Sequence, residues 1–274
     1  MLCKHHFSKN GQVFFHIFWV VTLIMQSRIK KPSFLVFWIG LTTCQVVVAS
    51  CALRYPKVLR PQSAFLNSFY APIVIMFYMI AVGSTQLSSE IQFGTLKSLL
   101  YRRYSSTKIL ISKWLTLLLC AVTAYVGSLI VSLILKALLL NNRFSLNESI
   151  TQHGKIWQAW LLTNISSFLT MLFLMSFVFL LATLFVNSTP AIITGVSTYF
   201  VASIFNQLMF MMIDKSPWLK WNPINMMNLG EQLSDSKMSN LTHLSFNQLT
   251  IGYLVYIVGF LSIGILIFKR KSIS

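Results

Sequence analysis

Residues 109–140 read ILISKWLTLLLCAVTAYVGSLIVSLILKALLL, an apolar run whose only charged residues are Lys113 and Lys136. A helix needs about 20 apolar residues to cross the hydrocarbon core of a bilayer. This run is longer than one crossing requires, so we predict a single helix that tilts or projects beyond the lipid. The two lysines lie near its two ends, and we expect their side chains to snorkel to the nearer membrane surface.

Five further apolar runs flank this one. The chain is 55% hydrophobic and only 10% charged, against about 25% charged residues in soluble domains. We therefore predict an all-α membrane protein with six transmembrane helices in a single domain over residues 1–274. This composition excludes a soluble enzyme, a disordered protein, a secreted disulfide scaffold, and a membrane barrel, whose strands alternate apolar and polar residues. The predicted spans are about 33–53, 69–88, 109–140, 159–185, 191–213 and 249–268.

Basic residues dominate the charge, with 22 Lys and Arg against 5 Asp and Glu. In a soluble domain this balance would indicate nucleic-acid binding, but in a lipid-embedded chain it is better explained by loops that set orientation. The densest basic clusters fall on the side of the N-terminus. We therefore predict a multi-pass protein of the cell membrane with both termini in the cytoplasm, Lys108 and Lys271 inside, and Lys155 and Lys237 outside.

The first apolar run, residues 13–25, is too short to be a normal span. We predict an N-terminal amphipathic helix that lies on the cytoplasmic surface and ends at Pro32. A signal-peptide core is a weaker alternative because no small-residue cleavage site follows the run. A seventh span remains an alternative.

Two connections carry further information. The link at residues 186–190 is short, and Pro190 is suited to open the fifth span. The connection at residues 214–248 is long and places Trp218 and Trp221 beside lysine and proline. We predict a short helix or a re-entrant dip there, serving either as an aromatic membrane anchor or as a substrate contact.

Polar residues are rare within the predicted spans. Asn164, Asn206 and Gln207 are among them, and we expect them to form hydrogen bonds between helices. No acidic residue lies in the middle of a span, which weakens the case for a proton-coupled carrier. The chain has no P-loop motif, no H-E-x-x-H motif and no clustered metal ligands. We therefore predict that it is not an enzyme and that it carries no metal or cofactor of its own.

The connection between spans two and three is the most informative stretch. Residues 89–113 read SEIQFGTLKSLLYRRYSSTKILISK. Apolar residues at spacings of three and four predict a short amphipathic helix. Glu90 lies near the predicted start of that helix, where the helix dipole favours an acid. The alternative is a solvated basic loop that only fixes topology.

This stretch resembles the cytoplasmic signature of the ABC type-2 exporter permeases. The pattern is met by Glu90, by Gly94-Thr95-Leu96, by a leucine-rich helix and by a serine–lysine–aliphatic run that ends at Lys113. Arg103-Tyr104 stands where the family often has a proline, so the turn differs there. The resemblance implies that the segment couples to an ATPase through Glu90, Phe93, Gly94, Thr95, Leu96, Leu99, Leu100, Arg102, Arg103, Lys108 and Lys113.

The resemblance further implies a permease domain that works with separate ABC ATPase subunits, which bind the ATP. The chain would pair with itself or with a second permease. It looks like the permeases of bacteriocin and lantibiotic self-protection and of drug efflux, so the expected substrate is amphiphilic. The alternative is a non-transporting membrane immunity or sensor protein that binds a partner; a membrane enzyme is a third possibility.

Overall fold

The described part of the chain contains six helices that are long and apolar enough to cross a membrane. The structure is a computed structural model that describes residues 32–92, 106–150, 154–185 and 187–271. The all-α fold is confirmed, and each helix lies close to its predicted position. Spans one to six comprise Pro32–Arg54, Ala71–Gln92, Ser106–Leu139, Ile156–Leu184, Ser188–Lys215 and Phe246–Lys271.

Most of the shorter elements lie on one side of this bundle. Residues 216–245, which we call the capping segment, join spans five and six on that side, and we call it the capped side. The end of span two at Gln92, the start of span three at Ser106, the end of span four at Leu184 and the start of span five at Ser188 lie on the opposite side. The shorter elements are Pro61–Leu66, Ser68–Tyr70, the antiparallel strand pair Ser149–Ile150 and Gly154–Lys155, Pro217–Trp221, Pro223–Met226, Leu229–Ser234 and Met238–Thr242.

Span four is the centre of the packing. It contacts spans two, three, five and six and the helix Leu229–Ser234 of the capping segment. Its side chains Leu174 and Val178 are buried with Met79 of span two and Leu117 of span three. Spans one and five are the least buried of the six. Their apolar faces are therefore free to meet lipid or another protein.

A left-handed turn leads into span two. Ser68, Phe69 and Tyr70 have φ angles of 47°, 53° and 62°, a conformation that costs about 1–2 kcal/mol for each non-glycine residue. Trp160 Nε1 donates to Ser68 Oγ at 2.9 Å, and Ser68 Oγ donates to Asn164 Oδ1 at 2.8 Å. The interhelical hydrogen bond predicted for Asn164 is thus confirmed, and it helps to hold a strained turn.

Gln45 of span one supports the same turn. Its Nε2 atom donates to the Ser68 carbonyl oxygen at 3.2 Å, to the Ser128 carbonyl oxygen at 3.1 Å and to Ser132 Oγ at 3.0 Å. One buried amide therefore joins spans one and three to the start of span two. A buried polar group of this kind is stable in a membrane only when its hydrogen bonds are made within the protein.

Two local predictions were wrong. Span five begins at Ser188, so Pro190 is its third residue and does not open it; a proline is tolerated there because the first amides of a helix have no internal acceptor. Lys136 does not snorkel to water. It is buried, its Nζ donates to Asn141 Oδ1 at 3.2 Å and lies 5.6 Å from the centroid of the Phe144 ring. The connection after span three covers this lysine.

The structure does not test the prediction made for the N-terminal residues. The amphipathic helix at residues 13–25 falls outside the described residues. Pro32 is the first residue of span one in the structure.

Candidate functional site

Three of the predicted coupling residues, Glu90, Lys108 and Lys113, belong to described helices and lie on the side opposite the capping segment. Glu90 belongs to span two, which runs without a break from Ala71 to Gln92. The prediction that Glu90 starts a helix is therefore wrong, and an N-terminal helix dipole does not explain an acid at this position. Lys108 and Lys113 lie in the first turns of span three. Phe93, Gly94, Thr95, Leu96, Leu99, Leu100, Arg102 and Arg103 lie outside the described residues.

Lys113 joins the two helices that flank the coupling stretch. Its side chain is buried, and Nζ donates to the backbone carbonyl oxygen of Gln86 at 2.8 Å. The snorkelling predicted for this lysine is wrong, because its charge is satisfied inside the protein. A buried cation in a membrane protein is costly and needs such a partner. The bond fastens span three to span two one turn before Glu90.

A second site opens on the capped side. A cleft of about 290 Å³ lies between the start of span two, the middle of spans four and five, and the capping segment. Its walls combine apolar and polar side chains. The lining residues are Pro72, Ile73, Met76, Ser166, Ser167, Thr170, Tyr199, Ala202, Ser203, Asn206, Ile224, Met227, Asn228 and Glu231.

The capping segment forms the floor of this cleft through buried amides. Asn225 Nδ2 donates to the carbonyl oxygens of Lys220 and Thr242 at 2.7 and 3.0 Å. Gln232 Nε2 donates to the carbonyl oxygen of Leu244 at 3.0 Å. These side chains satisfy backbone groups that a chain of short helices leaves open. The predicted short helix or dip is confirmed as a series of short helices.

The capping segment also reaches far down span four. Gly230 packs directly on the backbone carbonyl and the hydroxyl of Ser166, and a Cβ atom at position 230 would collide with both. Ser166 lies about 15 Å along span four from its first residue, Ile156, at the helical rise of 1.5 Å per residue. The segment therefore enters the bundle rather than lying across its end.

Two tyrosines of span six form hydrogen bonds on the other side, one to the capping segment and one to span four. Tyr256 Oη donates to the carbonyl oxygen of Trp221, and Tyr253 Oη donates to that of Leu169, both at 2.8 Å. Neither Trp218 nor Trp221 lines the cleft. Both indoles are exposed, which favours the predicted membrane anchor over the predicted substrate contact.

A pair of asparagines forms one wall of the cleft. Asn206 Nδ2 donates to Asn228 Oδ1, and Asn228 Nδ2 donates to Asn206 Oδ1, each at 2.9 Å. The hydrogen bond predicted for Asn206 is thus present, and its partner lies in the capping segment rather than in another span. Gln207, for which we made the same prediction, is exposed instead.

Glu231 supplies the only charge in the cleft. Its side chain is exposed at the edge of the cleft, and desolvation by the surrounding protein raises the pKa of its carboxyl group above the ordinary value. The ion pair from His243 Nε2 to Asp214 Oδ1, at 2.7 Å, does not involve Glu231. None of the residues that line the cleft is basic. The cleft therefore presents an unneutralised acid beside an apolar wall.

The sequence named no single residue of this cleft as a site residue, although the alternative substrate contact at residues 214–248 covers Ile224, Met227, Asn228 and Glu231. A signal was nevertheless present in the spacing of polar residues. Ser166 and Thr170 in span four, and Tyr199, Ser203 and Asn206 in span five, recur at helical intervals of three and four. Such spacing places polar groups on one face of an apolar helix. The spacing does not predict that the capping segment covers those helix faces.

Comparison with known proteins gives a match to a protein family. The family model described as "Protein of unknown function (DUF2705)" matches residues 52–274. The matched region runs from the end of span one through span six, and so includes the coupling stretch and the cleft. No curated protein matches the chain.

Proposed function

This chain belongs to the DUF2705 family, and we propose that it is the membrane-spanning permease subunit of an ATP-binding-cassette exporter. A separate ATPase subunit binds and hydrolyses ATP. The permease moves an amphiphilic substrate, such as an antimicrobial peptide, a lantibiotic or a drug, out of the cell or the membrane. The proposal rests on the resemblance of residues 89–113 and on the cleft.

The observation that carries the proposal is the mixed lining of the cleft. Serine, threonine and asparagine also serve plain helix–helix packing in membranes, where their side chains form hydrogen bonds to neighbouring helices. Here polar side chains of spans four and five face a cavity of about 290 Å³ beside apolar side chains. A site of this kind suits a ligand that is itself part polar and part apolar. An amphiphile fits that description.

The coupling stretch supports the same proposal from the opposite side. An ATPase that docks on residues 90–103 would pull on the ends of spans two and three. The hydrogen bond from Lys113 Nζ to the Gln86 carbonyl oxygen holds these two helix ends together, so we expect them to move as one. Span two continues to Pro72, Ile73 and Met76 in the wall of the cleft. Span two therefore provides a rigid path by which docking reaches the cleft.

A second permease completes the proposed assembly. Span five is among the least buried spans and exposes large apolar side chains along one face. A homodimer or a heterodimer would cover part of this surface, and lipid would cover the rest. The exposed residues of the face include Phe200, Ile204, Leu208 and Met211.

The proposal places the capped side outside and both termini in the cytoplasm, following the basic clusters. In a cysteine-free chain, a cysteine at position 237 is expected to react with a membrane-impermeant maleimide in intact cells, whereas one at position 108 is not. Both lysines at these positions are exposed in the structure, so burial does not decide the result. Labelling of the cysteine at position 108 in sealed cells would show that the protein has the opposite orientation.

The experiment that tests the function is a resistance assay. Cells that express this chain together with the ATPase that co-purifies with it are expected to survive higher concentrations of a membrane-active peptide or an apolar drug. Disabling the nucleotide site of that ATPase should remove the protection, because the chain has no nucleotide motif of its own. Protection that persists would instead support the alternative, a non-transporting immunity or sensor protein.

A further inference from the structure

The geometry points to a cationic amphiphile as the ligand of the cleft. We infer that Glu231 binds an ammonium or guanidinium group that bears N–H donors, while the apolar stem of the same molecule lies against Ile73, Met76 and Met227. The inference adds a substrate class to the proposed function. It rests on that function only where it treats this ligand as the transported substrate. Binding itself requires no ATPase.

Charge is the first argument. Glu231 is an acid at the edge of the cleft, and no basic side chain lines the cavity. An anionic ligand would meet repulsion there and find no compensating donor of positive charge. A cation would gain a charge-assisted hydrogen bond, which is about twice as strong as a neutral one.

The hydroxyl groups in the wall give the second argument. Ser167 Oγ donates to the Thr163 carbonyl oxygen at 3.0 Å, and Ser203 Oγ donates to the Tyr199 carbonyl oxygen at 2.8 Å. Thr170 Oγ1 likewise donates to the Ser166 carbonyl oxygen at 3.2 Å. A hydroxyl has one hydrogen and two acceptor lone pairs. Because these three hydrogens are engaged within the helices, the oxygens of Ser167, Thr170 and Ser203 offer acceptors to a ligand.

The size of the cleft limits the ligand further. A volume of about 290 Å³ lies at the lower end of the range for small-molecule sites. It admits a cationic head with a short apolar stem, and not a folded peptide. A drug that fits would be a narrow, unbranched amine. An antimicrobial peptide would insert a single lysine or arginine side chain into the cleft. Both ligands present the same chemistry to Glu231.

The test uses the purified chain in lipid nanodiscs, without an ATPase, and radiolabelled decylammonium as the probe. Glu231→Gln is expected to weaken binding about tenfold, as expected for the loss of one hydrogen bond to a charged group. Glu231→Asp should retain most of the affinity. Glu148→Gln is the matched control, since it removes an acid that is exposed and does not line the cleft; binding should be unchanged.

Two competitors and a second variant sharpen the result. Decanol, which lacks the charge, and decyltrimethylammonium, which lacks N–H donors, should both displace the probe poorly. Ile73→Trp fills the mouth of the cleft at a partly exposed position and should also weaken binding. If phosphatidylethanolamine in the nanodisc competes with the probe, the ammonium site stands and a lipid headgroup is one of its ligands.

Equal binding by wild type and Glu231→Gln, with both proteins monodisperse and equally stable to heat, would overturn the inference. So would displacement of the probe by decanol as effectively as by unlabelled decylammonium. These results are separate from the fate of the proposed function. Resistance that persists when the ATPase is disabled would contradict the exporter proposal, but it would not contradict the cation-binding site.

Discussion

Glu90→Ala and Gly94→Leu are each expected to abolish efflux while the protein remains inserted in the membrane. Glu90 is the one acid of the predicted coupling stretch, and it lies within span two rather than at a helix start. Its proposed partner is a basic side chain of the ATPase. Removing one member of a buried charge pair costs about 2–5 kcal/mol, which corresponds to a loss of binding of roughly thirtyfold or more. The proposal assigns to Gly94 a close backbone approach or a bend, and we expect a leucine side chain at position 94 to block either.

The measurement is capture of the ATPase by tagged permease variants at matched membrane levels, followed by an efflux assay. Glu148→Ala is the control for the loss of an acid, because Glu148 lies on the capped side. Gly259→Leu is the control for the added side chain, because nothing lies within 4 Å of a Cβ atom at position 259. Both controls should capture the ATPase normally. Normal capture and efflux by Glu90→Ala and Gly94→Leu would reduce the stretch to a topological loop.

Gly230→Leu is expected to release the capping segment from span four. A side chain at position 230 collides with the backbone carbonyl oxygen of Ser166, which cannot rotate away as a flexible side chain could. Overpacking of this kind costs about 1–3 kcal/mol, and the asparagine pair that joins span five to the segment would separate with it. The cleft would then lose its floor, and the thermal stability of the purified protein should fall.

A reporter cysteine detects this release directly. Leu244 in the capping segment is 2% exposed, so a cysteine at position 244 in a cysteine-free chain should react slowly with maleimide. Adding Gly230→Leu should make the reaction fast. Gly259→Leu again provides the control, and it should leave the reaction slow. Slow labelling with an unchanged melting temperature in the Gly230→Leu chain would mean that the segment does not pack against span four as described.

Most of the fold follows from the sequence because lipid imposes a simple rule on the chain. A helix that crosses the bilayer must be apolar over about 20 residues, and it must satisfy its backbone internally. Residues 109–140 and the other apolar runs meet both conditions without reference to their neighbours. The spans could therefore be placed from local composition, to within a few residues of Ser106–Leu139 and its counterparts.

The features that depend on contacts between distant residues could not be predicted in this way. The turn at Ser68 adopts a left-handed conformation only because Gln45, Trp160 and Asn164 hold it. The buried position of Lys113 depends on a carbonyl oxygen of another helix. In both cases a residue type that normally favours a different environment is stabilised by a partner far away in the chain.

The candidate cleft was missed for the same reason. Its polar residues lie on spans four and five, but its floor is the segment around Asn228 and Glu231. Nothing local to that segment indicates that Gly230 packs against Ser166. The sequence predicted a short helix or a dip near the membrane surface, and the depth to which that segment enters the bundle is set by the fit between two distant residues.

ATP-driven uptake into inside-out membrane vesicles tests the central claim most directly. The vesicles contain this chain and the ATPase that co-purifies with it, and the substrate is a fluorescent cationic amphiphile. The account predicts uptake that requires ATP, stops when the nucleotide site of the ATPase is disabled, and stops with Glu90→Ala in this chain. Uptake that is unchanged without a working ATPase, or the failure of any ATPase to co-purify, would contradict it.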